Sequence, residues 1–281
     1  MKEIYQVKEL CSGLYGIKEQ YGAQGGVMMY LVVGQEKAAL IDSGFGVVDT
    51  LRALVEQITD KPVICLVAHG HPDHVGAAAL FDEIYMNQRD EELLPVSLSY
   101  DRRMGDVFGH YEDEELRAYC DSHIVMPEKL NYKNIDHGAK IDLGGTVLEA
   151  FALPGHTQGS LAFYNEKENY ALTSDGFSHR TALVTLPPEK RVGIQAYRDG
   201  LSRFLEAINE DTLLYWGHSD QPMPHELPQD MLRACNEVLD GQTQQDVVSS
   251  SHFARRASAS GKKMCEHTCG SVLLVYDANT L

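Results

Sequence analysis

Val67-Ala68-His69-Gly70-His71-Pro72-Asp73-His74-Val75-Gly76 follows directly on an apolar, β-branched run over 63–67, and its reading decides the fold. Four side chains able to ligate a metal, His69, His71, Asp73 and His74, fall within six residues. Imidazole and carboxylate are zinc ligands, and a turn leaving a strand end can aim alternate side chains into one cavity. Pro72 stiffens that turn by fixing its own φ. A lone histidine here would read as a polar surface group; H-x-H-x-D-H on a strand-to-helix turn reads as a ligand cluster.

Outward from this cluster, short apolar runs at 14–17, 27–33, 38–41 and 63–67, set off by glycine-marked turns, predict strands. Between the last two, Val48, Leu51, Leu54, Val55 and Ile58 form a helix-period face over 47–58, with Asp49 near its start. A second helix is predicted over 75–82. Strand patterns recur at 146–153, 161–164, 170–173 and 213–216, and helical ones at 194–208 and 229–239. Turns at Gly25-Gly26, Gly44-Phe45-Gly46 and Gly144-Gly145 point to a mixed or antiparallel sheet system and away from repeated βαβ units. The pair Gly144-Gly145 lacks the G-x-G-x-x-G spacing of a phosphate loop. Two segments break the alternation. Residues 87–135 are charged and aromatic, with a helix predicted over 113–121, and read as an insertion between two strands and a candidate lid. Residues 241–263, rich in Gln, Ser and Ala, read as a long loop before a last apolar run over 272–276.

The 281 residues are 43% hydrophobic and 23% charged, an ordinary globular composition. No run approaches the roughly 18 to 20 apolar residues of a membrane helix, so no membrane partner is expected. Forty-one acidic against 24 basic residues give a net charge of −17, and a phosphate-tracking surface needs a Lys/Arg surplus; nucleic acid is not an expected partner. The charged start Met1-Lys2-Glu3-Ile4 is unlike a signal peptide, and six cysteines are too sparse for a disulfide scaffold, so a cytoplasmic location is expected. Cys265-Glu266-His267-Thr268-Cys269 holds a C-x3-C pair, a spacing that is usually incidental.

Five motifs in order resemble the metallo-β-lactamase-fold hydrolase superfamily. They are Asp42 in Leu40-Ile41-Asp42-Ser43-Gly44, the histidine cluster, His156 in Pro154-Gly155-His156-Thr157, Asp175 in Thr173-Ser174-Asp175-Gly176, and His218 in Tyr215-Trp216-Gly217-His218. The resemblance covers roughly 14–218. It implies an α/β (α+β) fold, a four-layered αβ/βα sandwich, formed by 1–281 as a single domain with a helical lid-like insertion at about 87–135 and a C-terminal loop and strand at about 241–281. It also implies two divalent metal ions, zinc in first place with iron or manganese left open. His69, His71 and His156 are the expected ligands of one, Asp73, His74 and His218 of the other, with Asp175 bridging. Asp73 and Asp175 are the expected catalytic residues, Asp42 orients a ligand loop, and a metal-bridging hydroxide attacks an ester, thioester, lactone or amide carbonyl of a small-molecule substrate.

Departures narrow the choice within the superfamily. His71 stands where the di-iron flavoproteins have glutamate, and Asp175 where the zinc β-lactamases have cysteine or serine. Ser178 stands where the lactonases have tyrosine, and 219–281 shows no glyoxalase-II-like helical region. Substrate contacts are expected from the insertion (Arg102, Arg103, Tyr111, Tyr132) and from His179 and Arg180, since arginine suits a carboxylate. Two alternatives stay open, a mononuclear iron oxygenase of the persulfide-dioxygenase type and a phosphodiesterase or nuclease of the same fold. A homodimer is also left open.

Overall fold

A strand that is apolar at every position must be covered on both faces, and β3 (Val27–Val33) is such a strand. Met28, Tyr30 and Val32 point into a core between two sheets, while Met29 and Leu31 point the other way, into a helical layer. The computed structural model describes residues 4–21, 26–109, 112–183, 193–251, 254 and 261–279. Around β3 the first sheet runs in sequence order: β1 (Tyr5–Cys11), β2 (Leu14–Glu19), β3, β4 (Ala38–Ile41), β5 (Val63–Val67), β6 (Glu83–Met86) and β7 (Lys133–Asn134). Pairing is antiparallel as far as β4 and parallel from there to β7.

Parallel neighbours need crossovers. These are α1 (Leu51–Ile58) between β4 and β5, and the short α2 (Pro72–Val75) with a 3-10 turn at Ala78–Leu80 between β5 and β6. The sheet is thus mixed, as the glycine turns suggested, but it also contains the consecutive βαβ units that this reading had set aside. The helix expected over 75–82 is corrected too: Pro72, at ease in a first helical turn, starts it earlier, and it ends before Gly76.

The insertion lies between β6 and β7 and carries α3 (Leu94–Ser97), α4 (Tyr100–Phe108) and α5 (Glu114–His123). The Asp113 carboxylate accepts from the Leu116 N–H at 3.0 Å, and Glu114 and Glu115 follow in the first turn. That cap sets the start of the helix expected over 113–121.

The second sheet has the order β13 (Leu213–Trp216), β11 (Tyr170–Ser174), β10 (Leu161–Asn165), β9 (Val147–Ala152), β8 (Lys140–Asp142). Its inner face brings Leu148, Phe163, Leu172 and Tyr215 against Leu14, Tyr30, Ile41 and Leu66 of the first. Each such side chain contributes roughly 1.5 to 3 kcal/mol on burial. The outer face of the first sheet is covered by α1 and by Met104, Phe108 and Leu116 of the insertion. That of the second is covered by α6 (Ile194–Ala207) and α7 (Glu226–Leu239). Helices, sheet, sheet, helices make the expected four layers. A third sheet, β12 (Arg180–Ala182), β16 (Val272–Asp277), β15 (Met264–Cys269) and β14 (Val247–Val248), was not foreseen and packs on α7 through β15 and β16. It takes up part of the segment expected to be a loop over 241–263. Among the described residues no helix is long and apolar enough to cross a membrane.

Candidate metal centre

Five strand ends meet at one edge of the paired sheets, and each delivers part of the site. Asp42 follows β4, His69 and His71 lie in the loop after β5, and Asp73 and His74 begin α2. His156 comes from the β9–β10 loop, Asp175 follows β11 and His218 follows β13. All seven expected ligands are thereby brought together. The donor atoms of His69, His71 and His156 lie within 4.8 Å of one another, as do those of Asp73, His74 and His218, and those of Asp42, His69 and His74. His71 Nδ1 stands 3.2 Å from His69 Nε2 and 2.9 Å from His156 Nε2. Between the two ligand groups, Asp175 Oδ2 lies 3.2 Å from His218 Nε2, 3.6 Å from His74 Nε2 and 3.7 Å from His156 Nε2.

Asp42 holds this arrangement from behind. Its buried carboxylate accepts from the Ala68 N–H at 2.8 Å, from the Ser174 hydroxyl at 2.7 Å and from His74 Nδ1 at 2.8 Å. Both Asp42 (φ 63°) and Ser174 (φ 46°) adopt the left-handed conformation that non-glycine residues reach only at some cost, and such strain gathers at functional sites. The Ser43 hydroxyl donates to the His74 carbonyl at 2.9 Å, and the Gly26 carbonyl lies 3.2 Å from His218 Nδ1. Outer hydrogen bonds of this kind orient ligand imidazoles.

The two halves differ electrically. Burial pushes the His69, His71 and His156 imidazoles down, His71 to about 3, so all three are neutral. Burial opposes the charge of His74 and His218 as well. There, however, Asp73, Asp42 and Asp175 outweigh it and raise His74 well above its ordinary value, while Asp175 and Asp73 raise His218 to about 9. Burial would raise the Asp73 and Asp175 carboxyls, but His218 and His74 hold both below the usual carboxylate range. One half is thus a neutral imidazole trio, the other a carboxylate cluster balanced by positive charge.

These residues fit divalent cations. His74 Nε2 is buried without a hydrogen-bond partner, although Asp73 Oδ2 is 3.4 Å and Asp175 Oδ2 3.6 Å away, and Asp175 Oδ1 is likewise unpartnered. With its Nδ1 turned to Asp42, His74 presents Nε2 where either a proton or a cation offsets the carboxylate charge.

The expected substrate contacts separate on inspection. His179 is exposed at the rim, its ring edge-on to Trp216, which in turn meets the His218 ring. Arg180 pairs with Glu266 at 3.4 Å, Arg102 pairs with Asp106 at 2.6 Å, and Tyr132 is half-buried. Arg103 is a correction: it is fully buried and donates to the carbonyls of Phe45, Gly46, Gly76, Leu98 and Val125, so it joins the insertion to the ligand loops and cannot reach a substrate. Tyr111 lies outside the described residues. Ser174 and Asp90, whose contacts with the ligand loops are close, were missed; adjacency to Asp175 was the only sequence signal for Ser174.

A family model described as the metallo-beta-lactamase superfamily matches residues 22–218. The chain is similar to the human acyl-coenzyme A thioesterase MBLAC2, 24% identical over 236 residues that cover 74% of this chain and 77% of that protein. It is also similar to the hydroxyacylglutathione hydrolase GloC of Haemophilus influenzae, 26% identical over 195 residues, 66% of this chain and 81% of that one. Among solved structures, a metallo-beta-lactamase family protein of Thermus thermophilus superposes with a TM-score of 0.60 at 18% identity, covering 96% of this chain and all of that one.

Proposed function

The chain belongs to the metallo-beta-lactamase superfamily, and from that premise we propose that it hydrolyses small acyl substrates, thioesters foremost, with two divalent cations, zinc in first place. The observation that carries this reading is the position of Asp175 Oδ2, 3.2 Å from His218, 3.6 Å from His74 and 3.7 Å from His156, between two complete groups of donors. His69, His71 and His156 would hold one cation and Asp73, His74 and His218 the other, with Asp175 shared. When bound, such cations polarise a carbonyl and bring the pKa of a water from roughly 15.7 to about 7. Asp73, half-buried with Oδ2 toward His74 and His218, would orient the attacking water. Asp42 keeps the His74 ring fixed through the Nδ1 bond while charge develops in front of it. Trp216 and His179 offer an aromatic rim for the acyl or thiol portion of a substrate.

Thioesters come first because one similar protein is an acyl-coenzyme A thioesterase and another a hydroxyacylglutathione hydrolase. A one-iron oxygenase would leave the Asp73, His74 and His218 group without a use, and the net charge of −17 disfavours a nucleic-acid substrate. Metal analysis of the purified protein, with turnover of thioesters, esters, lactones and phosphodiesters, tests the proposal. Two zinc per chain and thioester turnover are expected, with both falling sharply in His71→Ala. One iron per chain with sulfite production, or a His71→Ala protein with full metal content and activity, would sink it.

A further inference from the structure

Asp90 sits in the 3-10 turn Gln88–Leu93 that opens the insertion, with none of its surface exposed. Its Oδ2 accepts from the Gly70 N–H at 2.8 Å and from the Thr157 hydroxyl at 2.7 Å, and its Oδ1 accepts from the Gly159 N–H at 2.8 Å. Gly70 stands between His69 and His71, and Thr157 directly follows His156. One side chain therefore ties together the two loops that carry the three-histidine group, one leaving the first sheet and the other the second.

The fit is close on both sides. A Cβ on Gly159 would come within 2.7 Å of Asp90 Cγ and force the carboxylate to shift, and one on Gly70 would press on Asp90 Cβ at 3.0 Å. The Thr157 hydroxyl also meets Ser160 Oγ at 2.8 Å, and that oxygen accepts the Thr157 N–H at 3.0 Å, which locks the His156 loop onto the same carboxylate. Asp90 is itself anchored: its N–H donates to the Asn87 carbonyl at 3.1 Å, and Asn87 Nδ2 donates to the Ile135 carbonyl at 3.0 Å, joining the two ends of the insertion.

We propose that Asp90 is a positioning residue that sets His71 against His156, and so tunes the three-histidine half of the site for its cation. The inference rests on the two-cation reading above. The insertion then acts on the site from beneath, as a buttress, whatever it does as a cover. A carboxylate is needed because both of its oxygens accept. An asparagine would turn an NH2 toward either Gly159 N–H or the Gly70 and Thr157 donors, leaving at least one buried donor unpaired.

The test is a cobalt(II) titration of the chelator-stripped full-length protein, followed by absorbance and calorimetry, for the wild type, Asp90→Asn and Thr157→Val. Melting curves of the stripped proteins run alongside. In Asp90→Asn, one of two cobalt equivalents is expected to weaken by about 10- to 100-fold with a changed ligand-field spectrum, while the other keeps its affinity. Thr157→Val, which removes one donor and leaves the carboxylate, shows the same selective weakening to a smaller degree, and decides the matter should Asp90→Asn fail to fold. A folded Asp90→Asn protein matching the wild type in both equivalents, or one in which both weaken alike, overturns the inference alone. A wild type that takes up no cobalt overturns the proposed function and the inference with it.

Discussion

Asp42 is held at φ 63° and spends its carboxylate on three buried donors, Ala68 N–H, Ser174 Oγ–H and His74 Nδ1. An amide in its place accepts at one oxygen only, so Asp42→Asn leaves at least one of these donors unpaired. The expected loss is about 1 to 3 kcal/mol, read as a lower melting temperature of the metal-free protein, together with zinc affinity lowered about 10- to 100-fold. An Asp42→Asn protein equal to the wild type in both measurements would remove Asp42 from the site. All seven expected ligands and Asp42 were legible in the sequence because each lies in a short motif at a strand end, where residue type alone carries chemical meaning. Asp90 was not: it is one of three acids in Asp90-Glu91-Glu92, and only folding distinguishes the buried one from its neighbours. Arg102 and Arg103 make the same point, adjacent and identical in type, one paired with Asp106 on the surface and the other fully buried among carbonyls.

At the scale of elements, the legible strands were the apolar ones. β3, β4 and β5, almost wholly buried, match their apolar runs to the residue, and so does β13 despite its exposed Leu213. β1 was missed because four of its seven residues are exposed, and β15 because its alternation is built partly on a buried polar residue, His267. That histidine links three elements. Its Nδ1 meets Asp246 Oδ1 at 2.7 Å and its Nε2 meets Glu237 Oε2 of α7 at 2.9 Å, while the Tyr276 hydroxyl of β16 donates to Asp246 Oδ2 at 2.7 Å. Glu237 Oε1 faces Arg233 Nε at 3.8 Å and Cys269 Sγ at 3.5 Å. Burial works against a charged His267, but Asp246 and Glu237 prevail and raise its pKa above the ordinary value. The folded chain therefore binds this proton more tightly than the unfolded chain. The stabilisation is complete below about pH 6.5, the unperturbed histidine value, and is lost as the pH climbs through the folded pKa. Denaturant unfolding between about pH 6 and 9 should show stability falling with pH in the wild type and a shallower fall in His267→Gln; equal slopes would refute the clamp. The Cys265 and Cys269 pair proves to be two buried free thiols on the same strand.

For the molecule as a whole, the family resemblance carried by the five motifs implied the four layers but not the third sheet, whose short members β12 and β14 have three and two residues and carry no periodicity of their own. The site, by contrast, draws on both main sheets, from Asp42 after β4 to His218 after β13. That span has a consequence in time. During synthesis His69, His71, Asp73 and His74 emerge together long before His156, Asp175 and His218 exist, so the unfinished chain already holds four ligands able to seize a cation in an incomplete shell. Binding to an unfolded chain subtracts from the stabilisation that binding to the native state provides, and closing contacts so distant in sequence is slow. Refolding from denaturant with zinc present throughout should therefore be slower or lower in yield than refolding with a chelator followed by zinc, as measured by recovered native protein. Equal recovery by both routes would mean that the early four-ligand cluster is harmless. If the difference is found, the order in which the ribosome delivers these ligands makes a low free-zinc concentration a condition for the chain to mature.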